Sequence, residues 1–118
     1  MNPKIHIIAL CCVLAIAAGQ VLFKKLAMLF SLSRTIWSLE FIGIGLAAGL
    51  IYIGATVGWI WLLQFVQLSR VYPYFALSFV LVPLASAVLY GDTLNLQYAL
   101  GVSLIVAGVV LIQSIGDV

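Results

Sequence analysis

The sequence predicts an all-α fold, a four-transmembrane-helix bundle that works as a dimer. Two observations carry the helical, membrane part of that reading. Apolar residues make up 66% of the 118 residues and charged residues only 7%. A soluble domain of this size leaves a large share of its surface in water and has no room to hide so much apolar area. The apolar residues also fall into four stretches close to the roughly 20 residues that cross a bilayer's hydrocarbon, with the few charges between or beside them. Backbone groups have no water partners in that layer, so each stretch is expected to be a helix, and the alternating pattern of a membrane barrel is absent.

The first span is expected at about 5–23, ending at Lys24-Lys25. Lys4 ahead of an apolar run and the small residues Ala17, Ala18 and Gly19 resemble a signal peptide, but Gln20 and the lysine pair follow directly, so the segment is read as a retained span. Cys11 and Cys12 are adjacent in mid-span and face different directions, which suits packing rather than a disulfide or a metal. A long interfacial loop is expected from Lys24 to Glu40, marked by Ser31, Ser33 and Ser38, with Trp37 as a headgroup-level anchor. The second span is expected at about 41–66. Gly45 and Gly49, then Gly54 and Gly58, give it two G-x-x-x-G spacings of the kind that lets helix backbones approach in lipid. After a short connection carrying Arg70, the third span is expected at about 74–90, with Pro83 kinking it and freeing a carbonyl. Gly91 to Asn95 is a tight turn, and the fourth span runs at about 96–115. The whole chain reads as a single domain.

The termini and second loop carry Lys4 and Arg70, while the first loop carries Lys24, Lys25 and Arg34. The positive-inside count, three against two, favours a cytoplasmic first loop and external termini, with dual insertion or orientation by a partner chain as the other readings. Two glycines seven apart, Gly101 and Gly108 with Ile105 between them, form a smooth stripe on the last helix. Four helices do not easily enclose a pathway and also pack a core, so this stripe is the candidate dimer seam, with packing inside one chain as the other reading.

Polar residues inside spans are few and costly, which makes each a candidate. Gln20 and Lys24 share one face of the first helix; Tyr52 and Trp59 share one on the second; Tyr72, Tyr74 and Ser78 stand at the start of the third. Together they are candidates for lining a polar groove, although aromatics near span ends often serve as interface belts and a helical serine often bonds its own backbone. Lys24 and Lys25 either snorkel to the headgroups or hold a phosphate, with Arg70 as a phosphate partner on the opposite side. The three acidic residues, Glu40, Asp92 and Asp117, lie at helix ends or in the tail, so no span carries the mid-depth carboxylate that proton-coupled cation export needs. His6 has no partner nearby in sequence, and no catalytic constellation, nucleotide loop or metal spacing occurs. No enzyme activity, no cofactor and no nucleic-acid partner are expected.

The run Ala18-Gly19-Gln20 followed by Lys24, then Trp61-Leu62-Leu63, Val71-Tyr72-Pro73, Ser86 through Asp92, and Gly101 to Val109 resembles the drug/metabolite transporter superfamily, in its small four-helix members. The Gly101–Gly108 stripe is similar to the dimer face of the small multidrug resistance family, whose signature glutamate would fall at Ile16 here. The Ala18-Gly19-Gln20…Lys24 pattern, with Tyr72-Pro73 and Asp92, more closely resembles the small subunits that flip undecaprenyl-phosphate aminoarabinose across the bacterial inner membrane. That resemblance implies a flippase for a lipid-linked sugar, working as a homodimer or with a similar small subunit, driven by the substrate gradient or by downstream consumption. A small cation or drug exporter and a non-transporting subunit of a glycosyltransferase system are the alternatives.

Overall fold

A computed structural model of the chain describes residues 3–33 and 37–114. Arg34, Ile115 and Asp117, named above, lie outside the described residues. Helix α1 spans Pro3–Ser33 and α2 spans Leu39–Leu62. A short α3, Leu68–Val71, runs through a 3₁₀ segment, Tyr72–Leu77, into α4, Ser78–Tyr90, and α5 closes the chain at Leu96–Gln113. Four segments are long and apolar enough to cross a membrane: Pro3–Leu32, Leu39–Leu62, Leu68–Tyr90 and Leu96–Gln113.

The first helix does not stop at Lys24-Lys25, and the expected long loop from Lys24 to Glu40 is mostly helix. Leu26, Ala27, Met28 and Leu29 are strong helix formers, and no glycine or proline interrupts them. At 1.5 Å per residue, α1 is about 46 Å long, and Lys24 stands about 32 Å from Pro3, close to one hydrocarbon thickness. The lysines therefore still mark a membrane edge, and the α1–α2 hairpin continues beyond them. Its tip presents Leu32 and Trp37, both about four-fifths exposed. Ser38 caps α2 by accepting the Phe41 N–H at 3.1 Å.

Helices α1 and α2 form the principal antiparallel pair. Ala48, Ala55 and Leu62, seven residues apart, are buried on α2, opposite Ala9, Val13 and Ala17 on α1. The alanines of this repeat, Ala48 and Ala55 with Ala9 and Ala17 opposite, let the two backbones come close. The α2 glycines divide accordingly. A Cβ on Gly58 would lie 3.3 Å from Cys12 Sγ and one on Gly45 would reach Leu26, whereas Gly49 and Gly54 turn away from any such contact. The G-x-x-x-G pairs thus do not act as units, because the seam follows the seven-residue repeat. The tightest approach is on α1, where a Cβ on Gly19 would sit 2.4 Å from the Tyr52 ring.

The third span begins at Leu68 rather than Tyr74. Pro73 has no N–H for the α3 turn, and the chain tightens to 3₁₀ before α4 resumes α-geometry. Pro83 lies inside α4 and cannot bond the carbonyl one turn back, that of Phe79; Tyr98 on α5 donates its hydroxyl to that oxygen at 3.4 Å. Tyr98→Phe should therefore lower stability by about 0.6 kcal/mol, typical of an interhelical bond in lipid. Adding Pro83→Leu, which restores the helical donor, should recover it. Thermal unfolding of the two variants by circular dichroism in detergent checks both.

Gly91, at φ 74°, ends α4 in the left-handed conformation that glycine adopts without strain, and Asn95 caps α5 by accepting the Tyr98 N–H at 2.8 Å. The turn falls where the sequence places it. α5 returns antiparallel to the third span and packs chiefly on the 3₁₀ segment. Its far end is clasped: Arg70 Nη1 donates to the Ile112 carbonyl at 3.3 Å, and Gln113 Nε2 donates to the Arg70 carbonyl at 3.0 Å. The core is small, with Leu62, Val13 and Val71 its largest fully buried side chains. The molecule is a slab of 51 × 37 × 17 Å.

Candidate polar cleft

Two cavities meet on α4. The first, about 370 Å³, is lined by Ile16 and Gln20 from α1 and by Phe75, Ser78, Val82 and Pro83 from the third span. The second, about 460 Å³, shares Val82 and Pro83 and extends to Ser86, Asp92, Thr93 and Tyr98. Sequence spacing puts Gln20 and Ser78 on different helices, and the fold brings them to one cavity. The parallel course of α1 and the third span does this: Tyr74 at the start of that span bonds His6, and Tyr90 at its end donates to the Val21 carbonyl at 2.7 Å.

Gln20 is held by its neighbour across the seam, donating its amide to the Tyr52 hydroxyl, while the Tyr52 ring stacks on Phe23 with centroids 5.0 Å apart. Tyr52 is thus placed to position Gln20. Ser78 donates to the Phe75 carbonyl at 2.6 Å, the backbone bond common for helical serines, and its oxygen keeps acceptor capacity toward the cavity. Ile16 lines this same cavity, so the wall one turn before Gln20 is apolar.

Lys24 is one turn beyond Gln20, about 40° round the helix axis, and is exposed; Lys25, also exposed, is rotated a further 100° away. Because Val21 is bonded to Tyr90, Lys24 and Asp92 belong to the same end of the bundle. Arg70 stands at the opposite end, where its guanidinium meets the C-terminal carbonyls of α5, the negative end of that helix. The remaining aromatic candidates divide. Trp59 packs edge-on against Phe75 at 4.7 Å and, with Tyr74, borders the small core of Ala9, Leu62 and Val71. Tyr72 is exposed beside Phe75. These three lie at the far end of the bundle and not among the lining of either cavity. On α5, Gly101 and Gly108 have nothing within 4 Å of where a Cβ would be, and Ile105 is exposed.

Asp92 is the residue whose place in the cleft the sequence reading underused. Its carboxylate accepts the Ser86 hydroxyl across the α4 terminus and faces the larger cavity. The signal was present in the order Ser86, Gly91, Asp92: a left-handed glycine turns the chain back, so the next residue returns over the last turn of the helix.

Four apolar helical spans define a multi-pass membrane protein, and its described residues include a cleft with polar groups at intervals. The comparisons with known proteins point the same way. The chain is 46% identical over 56 residues to a protein of Sodalis glossinidius, covering 48% of this chain and 50% of that one. It is 45% identical over 60 residues to one of Erwinia tasmaniensis, covering 51% and 56%, and 34% identical over 68 residues to one of an Enterobacter species, covering 57% and 64%. Each is described as a probable 4-amino-4-deoxy-L-arabinose-phosphoundecaprenol flippase subunit ArnE. The chain spans about half the length of the curated relatives it matches. No family model matches the chain, and no solved structure matches it.

Proposed function

We propose that the chain is a subunit of a flippase that moves an undecaprenyl-phosphate-linked amino sugar from the cytoplasmic to the periplasmic leaflet of a bacterial inner membrane. The observation that carries this reading is the pair of neighbouring cavities, sharing Val82 and Pro83, whose linings include Gln20, Ser78, Ser86 and Asp92, taken with the names of the relatives. A sugar phosphate loses its hydration on entering hydrocarbon, at a cost of several kcal/mol for each unpaired polar group, and a polar cleft replaces part of that hydration. The isoprenoid tail has no such need and stays in lipid. Lys24, with Lys25 beside it at the headgroup level, receives the phosphate at the cytoplasmic end. Gln20, steadied by Tyr52, and Ser78 offer hydrogen bonds along the wall. At the far end Arg70 meets the phosphate in competition with its bond to Ile112, with Tyr72, Tyr74 and Trp59 around it.

The cleft is open on one side, and the open stripe of Gly101, Ile105 and Gly108 gives a second helix a smooth surface. This supports a homodimer, or a heterodimer with a similar small subunit. A proton-coupled exporter is disfavoured by Ile16, which gives the cleft no carboxylate at that position.

The reading is tested in vesicles holding the purified chain and undecaprenyl-phosphate 4-amino-4-deoxy-L-arabinose in one leaflet. Arrival of the amine at the other leaflet is followed with a membrane-impermeant amine reagent. The expected result is labelling at least tenfold faster than in protein-free vesicles. Equal rates, with no such lipid retained by the chain after purification, would sink the proposal.

A further inference from the structure

We propose that Asp92 is the subsite for a cationic amino group, so that the chain selects amino sugars over neutral ones. The inference rests on the flippase reading and deepens it by assigning the sugar end of the cargo. Among the described residues lining the two cavities, Asp92 is the only acidic side chain. Helix capping does not account for it, since Asn95 performs that task for α5. Its carboxylate has about four acceptor positions, and Ser86 occupies one while fixing the rotamer. At about 460 Å³ the cavity lies within the range that small ligands fill.

Two further features favour a cation over a neutral hydroxyl. Tyr98 lines the same cavity, its hydroxyl 3.4 Å from the Phe79 carbonyl, and its ring offers an ammonium cation–π attraction. Lys24 lies at the same end of the bundle through the Tyr90–Val21 bond. A site with a cation and an anion at one end complements a zwitterionic headgroup, a phosphate joined to an amino sugar. It does not complement a neutral sugar phosphate, which would leave the carboxylate with no charge to meet.

The test is native mass spectrometry of the full chain in mild detergent, titrated with two synthetic lipids: undecaprenyl-phosphate 4-amino-4-deoxy-L-arabinose and undecaprenyl-phosphate L-arabinose. They differ only in amine against hydroxyl. The wild type should prefer the amino lipid by roughly tenfold or more, the scale of one charge-assisted bond. Asp92→Asn should lose that preference, and its thermal unfolding by circular dichroism in detergent shows separately that the variant is folded. Asp92→Glu should keep part of the preference. A wild type without preference, or an Asp92→Asn chain that retains it, overturns the inference and leaves the flippase reading standing. Binding of neither lipid above the level of phosphatidylglycerol overturns both.

Discussion

Lys24→Glu is expected to reduce movement of the lipid-linked sugar to near the protein-free rate. Lys24 is exposed one turn beyond Gln20, at the level where α1 has crossed about one hydrocarbon thickness. A charge-assisted bond from an ammonium to a phosphate contributes about 1.5–3 kcal/mol, so its loss alone gives roughly a ten- to hundredfold decrease, and a carboxylate in its place adds repulsion. Lys24→Arg should retain most activity, since it keeps the charge. Lys25→Glu should have a smaller effect, because Lys25 is turned about 100° from Lys24. The vesicle labelling assay distinguishes the three. Unchanged rates in Lys24→Glu would remove that residue from the mechanism, and equal losses in both glutamate variants would point to general surface charge.

The second large effect is expected from Gly19→Leu. The Tyr52 ring occupies the space over Gly19, 2.4 Å from where a Cβ would be, so a leucine cannot enter without moving the ring. Overpacking of this kind costs about 1–3 kcal/mol. Displacing the ring also breaks its bond to Gln20 and its stacking on Phe23, so transport should fall along with thermal stability. Tyr52→Phe separates the two contributions: it keeps the ring in place and removes only the hydroxyl. That variant should unfold close to the wild-type temperature and still transport more slowly.

Much of the fold was legible because lipid imposes a single rule, and the four apolar stretches obey it. The turn at Gly91–Asn95 was legible for a local reason, since a left-handed glycine and an asparagine cap are written in adjacent residues. The end of α1 was not. Two lysines look like a boundary, but charge limits where a helix meets water and does not stop the helix, so α1 continues to Ser33. The α2 glycines misled for a related reason: spacing identifies residues that share a face and leaves open which face meets a neighbour. Ala48, Ala55 and Leu62 decide that, and alanine is too common in a membrane helix to stand out.

In the site, Gln20 and Ser78 were recognisable one by one as polar residues in apolar surroundings. Their convergence depends on α1 and the third span running parallel, held by Tyr74 to His6 and Tyr90 to Val21, contacts more than 65 residues apart in sequence. Asp92 is legible in the sequence as a helix-end residue; only the fold shows that the helix end opens into a cavity. Arg70 is legible for its charge, and the structure adds a clasp on α5 that no sequence spacing announces.

The slab is 17 Å through its thin direction, less than two helix diameters of about 10 Å. Such a body has two broad faces and only a thin core, in which Leu62, Val13 and Val71 are the largest fully buried side chains. In the paired arrangement proposed for the Gly101–Gly108 stripe, each chain would supply one wall of a shared cleft. One damaged copy in a pair would then silence its sound neighbour, and a mixed population would lose activity faster than its share of damaged chains.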